Sequence, residues 1–155
     1  MMRARRNPSQ GGVDDDLGGA LQLWRDAIRA RRNAEAFERL QAARKRVARN
    51  TDDDWEWLAA ALADPEKKWF VAHVFGRQPV PRRLFGSMMR AAVIDVDPST
   101  NRWLLEPCLE TFGRAAVIEE LGWLKQSGEV PGQRIEWALY WCTREVERLR
   151  GTSRS

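Results

Sequence analysis

The sequence predicts an all-α chain of stacked helical hairpins, on three observations. First, Pro65, Pro98 and Pro131 stand 33 residues apart, with Asp64 and Asp97 ahead of the first two and Val130 ahead of the third. Asp before Pro is a helix-start signal: the carboxylate accepts the free amides of the first turn, and Pro fits the first helical position, where no donor is needed. Second, the positions after each proline share an apolar set. Phe70 matches Trp103, Val71 matches Leu104 and Trp137, Ala72 matches Leu105 and Ala138, and Phe75 matches Cys108 and Trp141. Third, the intervening segments carry apolar residues at helical spacing, as Leu21, Trp24 and Ile28 do. Start signals at one period, with an apolar set common to the copies, describe hairpins that each bury a face on the next.

In chain order, residues 1–19 read as a disordered tail, with Pro8, Ser9, Gly11, Gly12, Gly18 and Gly19 around the run Asp14, Asp15, Asp16. The three carboxylates favour the start of the following helix through its dipole and read as solvated charge rather than as metal ligands. Residues 20–50 read as a basic helical segment with a narrow apolar stripe of Leu21, Trp24, Ile28, Phe37, Leu40 and Val47, which Asn33 either divides or leaves whole. Residues 51–150 hold the repeats. Thr51 or Asp52 caps a helix with Trp55, Leu58 and Leu62 on one face. The run from Pro65 to Phe75 completes that hairpin, and Gly76 is expected in the left-handed conformation that ends a helix. From Pro81 the next helix turns Leu84, Phe85, Met88, Ala91 and Ala92 inward. Asp97-Pro98 opens its partner, in which Pro107 is expected to kink or break the helix near residues 103–106. Gly113 ends it. A helix over 115–126 faces Val117, Ile118, Leu121 and Leu124 inward, and Ser127-Gly128 closes it. The last helix runs from near Pro131 to about Arg150 with Ile135, Ala138, Leu139 and Cys142 inward, and residues 151–155 form a second disordered tail.

The net charge of +4 conceals an asymmetry. Residues 1–50 carry 12 basic and 6 acidic side chains, whereas residues 51–150 carry 13 and 16. A basic segment joined to an acidic body marks an interaction element. The mean hydropathy of -0.57 and the lack of any long apolar run argue against a membrane span. Cys108 and Cys142 sit in apolar helical contexts and read as buried small hydrophobes, not a disulfide framework. Cytoplasm is the expected compartment, and 22 Arg against 4 Lys suggests a bacterial source with GC-rich coding.

The stretch LADPEKKWFVAHVFG, residues 62–76, resembles the second helix of the HEAT-repeat family, which opens on Asp-Pro and closes near Leu-Gly. VDPSTNRWLLEPCLETFG is a weaker copy, and EVPGQRIEWALYWC has lost the Asp. The resemblance spans roughly residues 52–150, about two-thirds of the chain. It implies a short right-handed solenoid of about three hairpins, preceded by the basic segment. It also implies that the basic residue after each proline (Lys68, Arg102, Arg134) bonds to the Asp of a neighbouring turn, with Asp64 and Asp97 as the partners available. Trp69, Trp103, Trp137 and Trp141 fall on second helices, which line the inner surface of such a stack. Most are expected in the core, and one or two left exposed would anchor a partner.

Catalytic signals are weak. His73 is the single histidine and, among Ala72, Val74 and Phe75, reads as a partly buried structural residue. Glu119/Glu120 and Glu106/Glu110 read as solvated helix-surface carboxylates. No Gly-rich phosphate loop and no nucleophile motif is present. The expected function is therefore a non-enzymatic protein-binding or scaffold module with no cofactor, no metal and no membrane contact. Its expected partner-contacting residues are Arg25, Arg29, Arg32, Arg44 and Arg46 on the basic segment, and Lys68, Trp69, Arg102, Trp103 and Arg134 on the repeats. The alternative is nucleic-acid binding through the Arg-rich segment, since guanidinium groups grip phosphate. The competing reading of those arginines is a solvated helix face. A minor alternative is an enzyme similar to the HEAT-like alkylpurine DNA glycosylases, for which the chain is short and its body acidic.

Overall fold

The computed structural model describes residues 16–49, 51–76, 78–94 and 98–152, and the side chains of all of these except 98–101 and 144–152. The described residues form eight helices and no strand, so the chain is all-α. It divides into two compact units, Met1–Trp57 and Leu58–Ser155.

The first unit holds α1 (Leu17–Arg29), α2 (Asn33–Val47) and the start of α3 (Asp52–Leu62). Asp16 caps α1 by accepting from the Gly19 amide at 2.6 Å. The helix therefore begins at Leu17, and Gly18 and Gly19, expected in the tail, lie inside it. Residues 1–15 lie outside the described part. Asn33 does divide the basic segment, because α2 begins there. The turn before it satisfies the last carbonyls of α1 in two steps. The Arg32 amide reaches Ala27 at 2.8 Å and the Arg31 amide reaches Ile28 at 3.1 Å, with Arg31 left-handed at φ 56°. This is the Schellman closure, here with an arginine in the position that favours glycine. α1 and α2 pack as an antiparallel-type hairpin around Leu21, Ala27, Leu40, Ala43 and Val47. Ile28 and Phe37, expected inward, are exposed, off the stripe of Leu21, Ala27, Leu40, Ala43 and Val47 that is buried. Asp54 on α3 is buried and takes a two-pronged contact from Arg46, Nε and Nη2 each at 3.1 Å.

The second unit holds the rest of α3, then α4 (Lys68–Val74), α5 (Arg82–Ile94), α6 (Pro98–Phe112), α7 (Arg114–Ser127) and α8 (Gly132–Thr152). The Asp-Pro reading of residues 64 and 65 is realised in a tight turn. Asp64 Oδ1 accepts from the amides of Glu66 and Lys67 at 2.8 and 3.1 Å, and its carbonyl accepts from Lys68 at 3.1 Å. Pro65 thus sits in the capping turn, and α4 starts three residues later than expected. Gly76 does not end α4 in a left-handed conformation; the left-handed glycines among the described residues are Gly113 and Gly128. A bond from the Gly76 amide to the His73 carbonyl three residues back, at 3.3 Å, closes α4 without it. Pro81 and Pro131 stand immediately before α5 and α8, and Pro98 opens α6.

Helix α6 lies at the centre of the unit, packed on α4, α5, α7 and α8. Pro107 lies inside it, and of the kink or break expected there the break does not occur. Proline removes one bond, the one to the Trp103 carbonyl, at about 3 kcal/mol for an interior position. Leu104, Leu105 and Cys108, all fully buried, outweigh that cost by packing on four neighbours. The remaining core is the expected one: Phe70, Val71, Leu84, Phe85, Met88, Ala92, Val117, Leu121, Ile135, Ala138 and Cys142 are buried. Ile118 is exposed instead of inward. Phe85 and Phe112 join α5 to α6 with ring centroids 4.3 Å apart. The thiols of Cys108 and Cys142 are free and buried.

Candidate functional site

The second unit carries exposed aromatic rings on α4, α6 and α8. On α8 the buried stripe is Ile135, Ala138 and Cys142, at i, i+3 and i+7. Helical geometry then turns Trp137 and Tyr140 to the opposite side. They are 50% and 54% exposed, and their rings meet edge to face with centroids 6.4 Å apart. On α6 the stripe is Leu104, Leu105 and Cys108, which leaves Trp103 at its margin, 57% exposed. The His73 ring on α4 stacks parallel to the Trp103 ring at 6.1 Å, with an interplanar angle of 10°. His73 Nδ1 lies 2.7 Å from the carbonyl oxygen of Trp69, one helical turn back, which fixes the imidazole against its own helix. His73 is thus exposed, not partly buried as the sequence suggests. Trp69 and Trp141 are half-buried. The expectation that most of these four tryptophans are core is therefore not met: two are half-buried, and two are at least half exposed.

Cations accompany the rings. Arg102 Cζ lies 5.9 Å from the centre of the Trp141 ring, and Lys68 Nζ lies 5.1 Å from that of Trp69. A cation over an indole face is attracted by the ring quadrupole, by about 0.5–1 kcal/mol at exposed sites. Arg102 also bonds through Nε to Glu106 at 2.9 Å, one turn along α6. Together, Arg102 and Trp141 link α6 to α8, and His73 and Trp103 link α4 to α6.

The expected contact residues divide sharply. Trp103 and Arg102 are exposed, and Trp69 is half-buried. Lys68 is buried, 5% exposed, and is not a surface contact. Arg134 donates to the carbonyl of Ile94, the last residue of α5, so it ties α8 to a helix end. Asp97, one of the expected acceptors for these cations, lies outside the described residues. On the first unit Arg29 and Arg32 are exposed and Arg25 is half-buried, with Arg32 paired to Glu35 at 2.7 Å. Arg44 is buried and Arg46 holds Asp54, so these two serve the fold of the unit. The signal that would have found Trp137 and Tyr140 is their phase relative to Ile135, Ala138 and Cys142.

Burial pushes the Cys108 thiol up to about 12, with the neighbouring Cys142 raising it further. Burial raises Cys142 to about 11, against the opposing pull of Arg114. Thiols held protonated this firmly are poor nucleophiles and poor metal ligands. Among the described residues no three His, Cys, Asp or Glu side chains gather as a metal site, and no helix is long and apolar enough to cross a membrane. Comparison of the chain with protein-family models, curated proteins and solved structures finds no match.

Proposed function

We propose that the chain is a non-enzymatic protein-binding module, and that the aromatic face of α4, α6 and α8 is where its partner docks. The observation that carries this reading is the exposure of Trp103, Trp137 and Tyr140 on helices whose cores are otherwise closed. Exposed indoles cost solubility and are over-represented among the residues that dominate interface energies. The packing of α5 on α6 and α7 on α8, with α6 on α8, α5 on α7 and α4 on α6, is the neighbour pattern that stacked hairpins make, and is what supports reading the unit as a short HEAT-like solenoid with α4, α6 and α8 as its second helices.

Nucleic-acid binding through the basic segment has less support. Arg44 and Arg46 are committed within the first unit, and Arg32 and Arg39 both pair with Glu35. Affinity capture with the immobilised chain tests the reading. One specific protein should be retained by the wild type after nuclease treatment and lost with the pair Trp103→Ser/Trp137→Ser. Recovery of the same set of proteins by both forms would overturn it, and recovery that vanishes with nuclease would favour the basic segment.

A further inference from the structure

A cleft of about 490 Å³ opens on the second unit, and it shares only Lys68 with the ring contacts described above. It lies between the end of α3, the capping turn of α4 and one side of α5. Its volume falls in the range of about 300–1,000 Å³ typical of small-molecule sites. Leu62, Ala63 and Pro65 form one apolar wall, and Ala91 and Ile94 form the other. The polar groups among its lining residues are Lys68, Ser87 and Arg90; two of these are cations, and no carboxylate lines the cleft.

We propose that this cleft binds a small organic monoanion with an apolar body, a medium-chain carboxylate being the simplest member of the class. Lys68 contributes from the first turn of α4; its side chain is enclosed by protein, and its ammonium, over the Trp69 ring at 5.1 Å from the centroid, shares its charge with that ring. Removing water around an ammonium strengthens its attraction for an anion, because the local dielectric falls. Arg90 reaches Glu129 through Nη2 at 2.6 Å. A guanidinium has five donors in a planar fork, so the contact with one carboxylate oxygen leaves donors for a second anion. That sharing also sets the charge of the guest. One carboxylate on the rim already offsets part of the positive charge, so a monoanion fits better than a dianion. The apolar walls select a guest with a hydrocarbon body, and the two cations reject amines. Ser87, one turn before Arg90 on α5, supplies a neutral hydroxyl that donates to the carboxylate.

Calorimetric titration of the full chain with octanoate, octan-1-ol and octylammonium tests the proposal. Octanoate should bind one per chain, and the alcohol and the amine should bind about tenfold more weakly or not at all. Arg90→Gln, on an exposed side chain, should weaken octanoate about fivefold, and Ser87→Trp should abolish binding by filling the cleft; both variants should keep the wild-type melting temperature. Trp103→Ser/Trp137→Ser should leave octanoate affinity unchanged, which separates this site from the docking face. Lys68→Met should also weaken binding; if that variant fails to fold, Arg90→Gln and Ser87→Trp decide. Equal affinity for octanoate and octanol, retention of binding by Ser87→Trp, or no octanoate binding up to millimolar concentration would overturn the proposal.

Discussion

Replacing Trp137 and Trp103 by Ser separates a docking anchor from a piece of core, because the two roles predict opposite patterns of stability and binding. A fully buried tryptophan covers about 150–250 Å². With half of Trp137 already in water, roughly 100 Å² remains to be lost. At about 25 cal/mol per Å² that is an upper value of about 2.5 kcal/mol. Compactness of the unfolded chain brings the expected loss to about 1–2 kcal/mol. Leu104→Ala, at a side chain with no exposure, should cost about 2–5 kcal/mol because it adds a cavity to the lost transfer energy. Urea unfolding followed by circular dichroism gives both values directly. Binding should respond in the reverse order. Loss of an indole anchor costs about 2 kcal/mol or more, roughly thirtyfold in Kd, whereas Leu104→Ala should bind normally wherever it stays folded. If Trp137→Ser unfolds the chain as severely as Leu104→Ala, or if the double Ser variant retains its partner, the face is not an interface.

Four further outcomes follow from particular contacts. Arg31→Gly should stabilise the chain by about 0.5–1 kcal/mol in urea unfolding, since the left-handed turn after α1 strains any residue with a Cβ; the gain is reduced by the entropy glycine adds to the unfolded chain. Asp54→Ala should cost about 1–2 kcal/mol, less than a fully enclosed pair, because Arg46 is 31% exposed and keeps access to water; a loss under about 0.3 kcal/mol would mean the pair is only a surface contact. Cys108 and Cys142 should react with a thiol reagent at pH 8 only as fast as the second unit opens, with urea accelerating labelling; immediate labelling of two thiols in the native chain would contradict their burial. These thiols also set an alkaline limit. Their folded pKa values lie above the ordinary 9.0, so their contribution to stability is complete below about pH 9 and is lost as pH rises towards 11 to 12; stability in this window should fall less steeply in Cys108→Ala/Cys142→Ala.

Helix identity was legible because its signals are local. Asp64 with Pro65, Pro81, Pro98, Pro131 and Gly128 each act within one turn, and each stands at or next to the helix end it announces. Stripe residues such as Leu84, Met88, Ala92, Leu121 and Ile135 were legible for a related reason: a period of 3.6 fixes which side of a helix they share. What failed depended on neighbours. Pro107 read as a kink or a break because its cost is local, while the packing that keeps the helix continuous comes from four other helices. Phe37 and Ile28 read as core because apolar residues usually are, yet both lie off the stripe that Leu21, Ala27, Leu40, Ala43 and Val47 bury.

Trp103 and Trp137 show how residue type and phase can disagree, and why phase should decide. Matching the copies by their prolines pairs Trp137 with Leu104 and Val71, both fully buried, and so places it in the core. The match fails by a rotation. Seven residues after each proline Ala72, Leu105 and Ala138 are all buried, but six residues after it Val71 and Leu104 are buried and Trp137 is half exposed, so the buried stripe of α8 is turned relative to those of α4 and α6. One residue of slip turns a side chain by about 100° around the axis, enough to move it from a buried stripe to its margin. The internal reference for α8 is its own stripe of Ile135, Ala138 and Cys142, and measured from that stripe Trp137 and Tyr140 point outward. A chain that keeps its helix-start signals at a fixed period while its helices slip in phase can carry the same residue types in each copy and still turn different ones to solvent. In this chain the residues turned outward include indole and phenol rings, and their exposure follows from the buried stripe of each helix rather than from the distance to its proline.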